Sequence, residues 1–459
     1  MPVKMPKETT IQAISVDDAT EPRTLRDDEL TKAMAQAEAR EALKVLDDSE
    51  SEGQNSAEDS DYYPEAPENG FLGPDDYISF ITKMNARAVK DYAEFKANPE
   101  KYRLRDPENP DKYIITTVHT CADGRCNPAL YSDPSNPLQH LNLDWQPAAG
   151  LKYFPEINVT PTCGGMENQL DENPVLKAKI YARLEGMYGP AIRQFLAEHK
   201  AGTTSRYFIE QQSHWNRDHY PKHGCGAWDS NLANAQKETI KNAVIVEKWL
   251  KESYPEQYAQ GLFKIIRTIQ DNSVAEEGQD SGDKNHVYDS EYIDSTLTAE
   301  EKGEFAGLFD EVKGRFAPPA LEDKDKHIVR KYTGNPFKID TAEHSEQGVR
   351  VSKFQWANTL NGQSAMEITW NDADIIAAHN KVLLRIIGDN KFSHANPDKP
   401  HYIHLDLAKG NVKDQAEYRK LRNLMAKDEA IQTRLKDGSL FLIVTETDPE
   451  SIKSKLIKD

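Results

Sequence analysis

Segments typical of β-strands alternate with segments typical of helices along most of this 459-residue chain, and this alternation constrains the fold more than any other feature. β-Branched and aromatic residues dominate the runs 113–118, 203–214 and 261–273. Helix-forming sequence lies between them, at 174–199 and after Cys225. Strands separated by helices favour parallel pairing, because a parallel connection needs a long crossover. The sequence therefore predicts an α/β fold with a mixed or parallel sheet flanked by helices.

Composition divides the chain into three parts. Residues 1–72 are predicted to be largely disordered, since the stretch 47–68 carries nine acidic residues and no basic one. Within them a helix is predicted at 25–46, because this stretch is rich in Ala, Leu, Glu and Lys. Residues 73–318 and 319–459 are predicted to form two successive α/β domains. The acidic stretch is either a solvated spacer or a docking arm for a protein partner.

Charge and hydropathy exclude several classes of partner. The formal net charge of −19 does not suit nucleic acid or an anionic membrane surface, because both attract basic proteins. We find no stretch apolar enough to span a bilayer, and the first residues, MPVKMPKETT, lack the apolar core of a signal peptide. We therefore expect a cytoplasmic protein, either free or held within a protein assembly.

The four cysteines all lie between residues 121 and 225, and they indicate a metal site. So few cysteines in so long a chain do not form a disulfide framework, and a reducing compartment favours metal binding or catalysis. Cys121 ends one predicted strand, His214 ends the next, and Cys225 follows after ten further residues. Because the carboxyl ends of neighbouring parallel strands lie at one sheet edge, we expect these side chains to meet. Two thiolates and one imidazole form a ligand set of catalytic zinc, with a fourth position left for water.

Asp123 and Arg125 follow Cys121 at intervals of two, which places all three on one side of an extended segment. A carboxylate can orient a metal-bound water or hydroxide by accepting its proton in a hydrogen bond. A bidentate arginine would keep that carboxylate ionised and in place. A helix predicted to begin near Ala227 would direct its N-terminal dipole toward Cys225 and favour the thiolate.

The histidine ligand is open at this stage, because His214, His219 and His223 all precede Cys225. His214 is favoured since it ends a strand, whereas His223 could chelate together with the cysteine two residues away. The histidines that do not bind metal would shuttle protons, as an unperturbed imidazole titrates at about pH 6.5, or would be solvated loop residues.

The two remaining cysteines are predicted to stay outside the metal site. Cys126 could be a fourth ligand, which would close the site and make it structural, but we expect it to be a bystander. Cys163 precedes two glycines and is expected in a tight turn.

These motifs resemble those of the β-class carbonic anhydrases. CADGR at 121–125 matches the family motif Cys-x-Asp-x-Arg in full, and GCGA at 224–227 is similar to the segment around the second cysteine. The family's second motif is His-x-x-Cys, whereas ten residues separate His214 from Cys225 here. Widened spacing of this kind is a feature of the carboxysomal shell enzymes and of the cadmium-using ζ class. The resemblance covers about residues 75–459, and it is specific at the five motif positions and loose elsewhere.

The C-terminal part is similar to the last domain of the carboxysomal enzymes, in the segments 402–424 and 435–448. In that family this domain looks like a degenerate duplicate of the catalytic domain that has lost its metal. The absence of cysteine from residues 319–459 fits this description.

The resemblance implies a carbonic anhydrase, which uses zinc hydroxide for the reversible hydration of carbon dioxide to bicarbonate. It implies that the zinc ligands are Cys121, His214 and Cys225, that Asp123 orients the hydroxide, and that Arg125 holds this carboxylate. It also implies a homodimer, and it leaves open residence in a carboxysome and the choice of zinc over cadmium or cobalt. Two other functions stay open: a catalytically silent, zinc-stabilised scaffold with this fold, and another zinc lyase or hydrolase.

Overall fold

A computed structural model describes most of the chain. The described residues are 74–121, 143–215, 225, 228, 231–271, 286–330, 350–355, 384, 401–410, 412–448, 451 and 453–457. The predicted disorder of 1–72 and the predicted helix at 25–46 lie outside these residues.

Strands and helices alternate through the first part of the described chain. Its strands are β1 (Arg105–Asp106), β2 (Asn109–Cys121), β3 (Asp144–Ala148), β4 (Thr204–Trp215), β5 (Phe263–Asp271), β6 (Val287–Asp289) and β7 (Ile328–Arg330). Its helices are α1 (Pro74–Ala97), α2 (Cys163–Asp171), α3 (Pro174–Lys200), α4 (Leu232–Ser253), α5 (Pro255–Ala259), α6 (Ser290–Thr296), α7 (Ala299–Lys302) and α8 (Ala306–Glu311), with 3-10 turns at Pro99–Tyr102, Ala149–Leu151 and Gly303–Phe305. None of the described helices combines the length and the apolar character needed to cross a membrane.

Seven of the described strands form one mixed sheet in the order β1-β2-β4-β5-β6-β7, with β3 also paired to β2. β2, β4 and β5 are adjacent and parallel, and β3 runs parallel to β2. β1, β6 and β7 pair antiparallel with their neighbours. The prediction of an α/β fold with a mixed sheet flanked by helices is therefore confirmed, and the carboxyl ends of β2 and β4 lie side by side.

The main core lies between one face of this sheet and helices α2, α3 and α4. Tyr207 and Ile209 of β4 both belong to this core, because alternate side chains of a strand share a face. The ring of Phe195 in α3 stacks on that of Tyr207, with centroids 6.0 Å apart. Trp249 of α4 is also fully buried, so the two long crossover helices cover the sheet on this side.

A buried ion pair fixes α3 to the segment that precedes α2. Arg183 is 6% exposed; it donates to both carboxylate oxygens of Glu156 and, at 2.6 Å, to the carbonyl of Tyr153. Burial alone would raise the pKa of Glu156, but the hydrogen bonds and charge of Arg183, with a smaller contribution from Lys179, lower it to about 2. The carboxylate therefore stays ionised and paired at neutral pH.

The helix after Cys225 begins later than the sequence suggested. It begins at Leu232 and not near Ala227. Its N-cap is Asn231, whose side chain accepts a hydrogen bond from the backbone N–H of Asn234 at 2.8 Å. The start of the helix is therefore displaced by five residues, but Ala235 of its first turn still packs against Cys121 and Cys225. The predicted effect of the helix dipole on the thiol stays a prediction.

Two further helices begin where the sequence favours a turn or loop, because a side chain caps the first turn of each. Cys163 is the first residue of α2 and not part of a tight turn, because the side chain of Thr162 caps the helix. The acidic composition of 274–300 favours a loop, but the described part of this segment forms β6 and α6, and Asp289 caps that helix. In both cases a single capping residue starts a helix where composition alone favours a loop.

A second sheet lies in the C-terminal part of the described chain. Its strands are β8 (Arg350–Gln355), β9 (His401–Ala408), β10 (Leu440–Thr447) and β11 (Ser454–Leu456), in the order β11-β10-β9-β8. β8, β9 and β10 are parallel, and β11 is antiparallel to β10. Helices α9 (Val412–Met425) and α10 (Glu429–Asp437) connect β9 to β10. The sequence AMEITW at 365–370 also predicts a strand, and this segment lies outside the described residues.

Candidate metal centre

Two side chains near strand ends and a third, which follows the second strand after a loop, meet at one edge of the first sheet. Cys121, His214 and Cys225 each offer one ligand atom, and these atoms all lie within 4.8 Å of one another. Cys121 is the last residue of β2, and His214 is the last but one of β4. The direct parallel pairing of β2 with β4 brings these two residues to the same edge. We refer to the three residues as the metal group.

The distance between the two sulfurs suits a shared metal ion. Sγ of Cys121 lies 3.7 Å from Sγ of Cys225, far beyond the disulfide bond length of about 2.05 Å. Two sulfurs that each lie about 2.3 Å from a tetrahedral zinc ion are about 3.8 Å apart. The donor set, two sulfurs and an imidazole, also matches the preference of zinc for sulfur and nitrogen ligands. The residues present therefore fit a metal ion.

The metal group is enclosed by protein. The exposed fractions of Cys121, His214 and Cys225 are 6%, 1% and 4%. The two cysteines form a small cluster with the buried Ala235 of α4, and Trp228 packs against it. An ion held here would be shielded from bulk water on the side of these residues, so its electrostatic effect on nearby groups would be strong.

A hydrogen-bond network joins the end of β4 to two helices. The side-chain amide of Gln236 in α4 donates to Oγ of Ser213 at 3.3 Å, next to His214 in the chain. Oε1 of the same glutamine accepts from Arg267 at 2.8 Å, and Arg267 donates to Asp294 of α6 at 2.9 Å. Burial raises the pKa of Asp294, and the charge of Arg267 opposes that shift. The strand end that carries the histidine is therefore held by buried polar contacts as well as by packing.

A second buried histidine lies near Cys121 in the chain, and it was not identified from the sequence. His119 precedes Cys121 by two residues in β2, and its ring contacts those of Tyr153 and Tyr188, with centroids 4.4 and 5.2 Å away. Burial lowers the pKa of His119 to about 3, so the imidazole is neutral near pH 7. Its position two residues from a strand-end cysteine was the available signal, because such residues share a sheet face.

The other cysteines and the remaining predicted site residues divide into two sets. Cys163 lies in the main core at the start of α2, apart from the metal group, and burial raises the pKa of its thiol to about 12. It is a buried thiol and not a ligand. The remaining residues lie outside the described part of the chain, so their predicted roles stay predictions: Asp123, Arg125, Cys126, His219 and His223.

No protein-family model matches this chain, and no curated protein matches it either. The assignment of the metal group therefore depends on geometry and donor chemistry.

Proposed function

We propose that this protein is a zinc-dependent carbonic anhydrase of the β type, which hydrates carbon dioxide reversibly to bicarbonate. The observation that carries the proposal is the convergence of Cys121, His214 and Cys225 at the carboxyl edge of parallel strands. Three protein donors are the number that catalytic zinc sites use, and two sulfurs with one imidazole are among the sets that occur there. The match of residues 121–125 to Cys-x-Asp-x-Arg supports hydration as the reaction, because the motif supplies a carboxylate and an arginine next to Cys121.

The chain's own residues would have distinct roles. Zinc, when bound, supplies a Lewis acid that lowers the pKa of a coordinated water to about 7. Asp123 is proposed to accept a hydrogen bond from that water and so to fix its orientation toward carbon dioxide. Arg125 is proposed to hold Asp123 ionised through paired hydrogen bonds. His219 or His223 is proposed to carry the released proton away.

A structural role for the metal is the second candidate, and the burial of the metal group favours it. All three residues are less than a tenth exposed, as ligands of structural zinc are. Such a protein would keep the fold and bind partners without turnover, and the acidic segment before residue 73 would suit a basic partner. The two candidates differ in turnover and not in metal content.

Two measurements on the purified full-length chain separate the candidates. Elemental analysis should find one zinc per chain, and a stopped-flow assay with a pH indicator should detect hydration of carbon dioxide. The variant Asp123→Asn should keep zinc and lose about 10²-fold or more in the rate, because the amide cannot accept the proton as an ionised carboxylate does. The exposed Asp171→Asn is the matched control and should change neither quantity. One zinc per chain with no hydration above buffer would establish the structural role instead.

A further inference from the structure

We propose that Trp228 is a positioning residue that fixes Gly150 as a hydrogen-bond donor to the Cys121 sulfur and joins the two sulfur-bearing segments into one unit. The proposal deepens the proposed function, since it takes Cys121 and Cys225 as metal ligands. It adds a residue that no motif of the sequence indicates.

The first step is a pair of hydrogen bonds that meet at Gly150. The indole N–H of Trp228 donates to the carbonyl oxygen of Gly150 at 3.0 Å. The backbone N–H of Gly150 donates to Sγ of Cys121 at 3.4 Å. Trp228 therefore restrains the backbone of the residue that contacts the sulfur.

The second step is the backbone conformation of this turn. Gly150 has φ +62° and the following Leu151 has φ +61°, so two successive residues occupy the left-handed region. Glycine adopts this conformation readily, but for leucine it costs about 1–2 kcal/mol. Such backbone persists only where its surroundings hold it. Here Trp228 holds the turn on one side, and the side-chain amide of Asn242 holds the carbonyl of Leu151 at 2.9 Å on the other.

The third step connects the tryptophan to the other sulfur. The backbone N–H of Trp228 donates to the carbonyl oxygen of Cys225 at 2.9 Å, so both residues belong to one turn. The ammonium of Lys152 lies 4.4 Å from the centre of the indole ring, which adds a cation–π contact from the segment of Gly150. Trp228 is thus linked to Cys121 through Gly150 and to Cys225 through its own backbone, and the two cysteines are 104 positions apart in the chain.

The chemical consequence concerns the electron density on sulfur. A hydrogen bond from an N–H group stabilises a thiolate and reduces its donation to a metal ion. It also fixes the direction from which that sulfur approaches the ion. Loss of the hydrogen bond from Trp228 to Gly150 should therefore make the Cys121 sulfur a stronger electron donor in a less defined position. Changes of this kind next to a metal ligand typically lower metal affinity by about 10–100-fold.

The test uses the full chain with cobalt(II) in place of zinc and reads the sulfur-to-cobalt charge-transfer band. Trp228→Phe keeps an aromatic ring and removes the indole N–H. We expect its band to move to lower energy and its cobalt affinity to fall by about 10–100-fold. The control Trp249→Phe makes the same change in the main core, where it should lower the melting temperature without moving the band.

Each outcome has a definite meaning. A Trp228→Phe protein with the band position and cobalt affinity of the wild type would overturn the proposal. If that variant fails to fold by circular dichroism, Trp228→Tyr gives the same test, because it also removes the indole N–H while its larger side chain fills more of the space than that of phenylalanine. An unmoved band there would also overturn the proposal. Absence of a charge-transfer band in the wild-type protein would instead refute the metal group itself, and with it the proposed function.

Discussion

The two sheets share a construction and differ in what their parallel strands carry. β2, β4 and β5 form the parallel centre of the first sheet, and β8, β9 and β10 form that of the second. In the first sheet, β2 ends in Cys121 and β4 carries His214 next to its end. In the second, β9 ends in Ala408 and β10 in Thr447, and no cysteine occurs after Cys225.

The difference extends to the burial of polar side chains. The second halves of β4 and β5 bury a run of them: Glu210, Gln211, Gln212, Ser213, His214, Arg267, Thr268, Gln270 and Asp271. Among the side chains of the second sheet and its helices whose burial is described, the buried polar ones are Arg434, Thr445 and Thr447. Polar burial costs free energy unless hydrogen bonds compensate it, so a concentration of it at one edge indicates function more than stability. The described polar burial is therefore concentrated beside the candidate site of the first sheet.

The largest effect should come from removing one sulfur of the metal group. Cys225→Ser should abolish zinc binding at micromolar metal and reduce hydration of carbon dioxide to the buffer rate, because a hydroxyl is a poor zinc ligand. Cys163→Ser makes the same change at a buried thiol apart from the metal group and should keep one zinc per chain. Elemental analysis and stopped-flow assays measure both. Zinc retained by Cys225→Ser would show that the metal group is not what distinguishes the first sheet from the second.

The next effect concerns the ion pair that anchors α3 in the first unit. Arg183→Met should lower the free energy of unfolding by about 3–5 kcal/mol, because it leaves the carboxylate of Glu156 partly buried without its main partner. Because Glu156 has a lowered pKa, the stability it contributes is present above its unfolded pKa of about 4.3 and is lost as the pH falls toward about 2.

Urea unfolding at pH 7 and at pH 3 measures this dependence. The wild type should lose stability between the two conditions, and the variant should lose less. Lys179→Met is the control, since its half-exposed ammonium pairs with the same carboxylate and should contribute less than about 1 kcal/mol. Equal pH dependence in Arg183→Met and the wild type would contradict the assignment.

A truncation in the core of the second sheet should sharpen the contrast. Leu421 of α9 is 1% exposed and packs with Leu405 and Val444 in one cluster. Leu421→Ala should cost about 2–5 kcal/mol in that unit and leave zinc content unchanged. Leu424→Ala, on the exposed side of the same helix, should cost within about 0.5 kcal/mol. Loss of zinc in Leu421→Ala would show that metal binding depends on the second sheet and not only on the first.

The smallest effect is expected at Asp144, the first residue of β3. Burial raises the pKa of this carboxyl to about 6, while hydrogen bonds from Thr117 and Gln146 oppose the shift. Since its folded pKa is above its unfolded value of about 3.9, ionisation destabilises the fold as the pH rises from about 4 through 6. Asp144→Asn should flatten this part of the stability curve and change stability at pH 7 by about 1 kcal/mol. Thermal unfolding from pH 4 to pH 8 measures it, and an unchanged slope would contradict the prediction.

Much of the first unit could be predicted from the sequence, because hydrophobic periodicity is a local property. The runs at 113–118, 203–214 and 261–273 correspond to β2, β4 and β5, and the segment 174–199 is one helix, α3. Helix starts were predicted less well. Asn231 and Thr162 each set a boundary through one side-chain hydrogen bond, and composition does not reveal which of several candidate residues does so.

The metal group and its surroundings also differ in how well the sequence predicts them. The meeting of Cys121 and His214 follows from strand ends and parallel pairing, both of which the sequence indicates. The contact of Trp228 with Gly150 joins residues 78 positions apart through a turn and a loop, and no periodic pattern indicates it. Contacts of this kind depend on how loops pack, which the sequence of either loop does not determine alone.

The separation of the two sulfurs by 104 positions sets the order of events during synthesis. An emerging chain presents its first sulfur long before the second has been translated, and the β2–β4 pairing lies between them. A cation bound by both cysteines would therefore be captured only after β2 and β4 have both been synthesised. In a denaturation experiment on the metal-loaded protein, release of the ion would report when the segments of Cys121 and Cys225 separate, so the metal would serve as a probe of the order in which this fold comes apart.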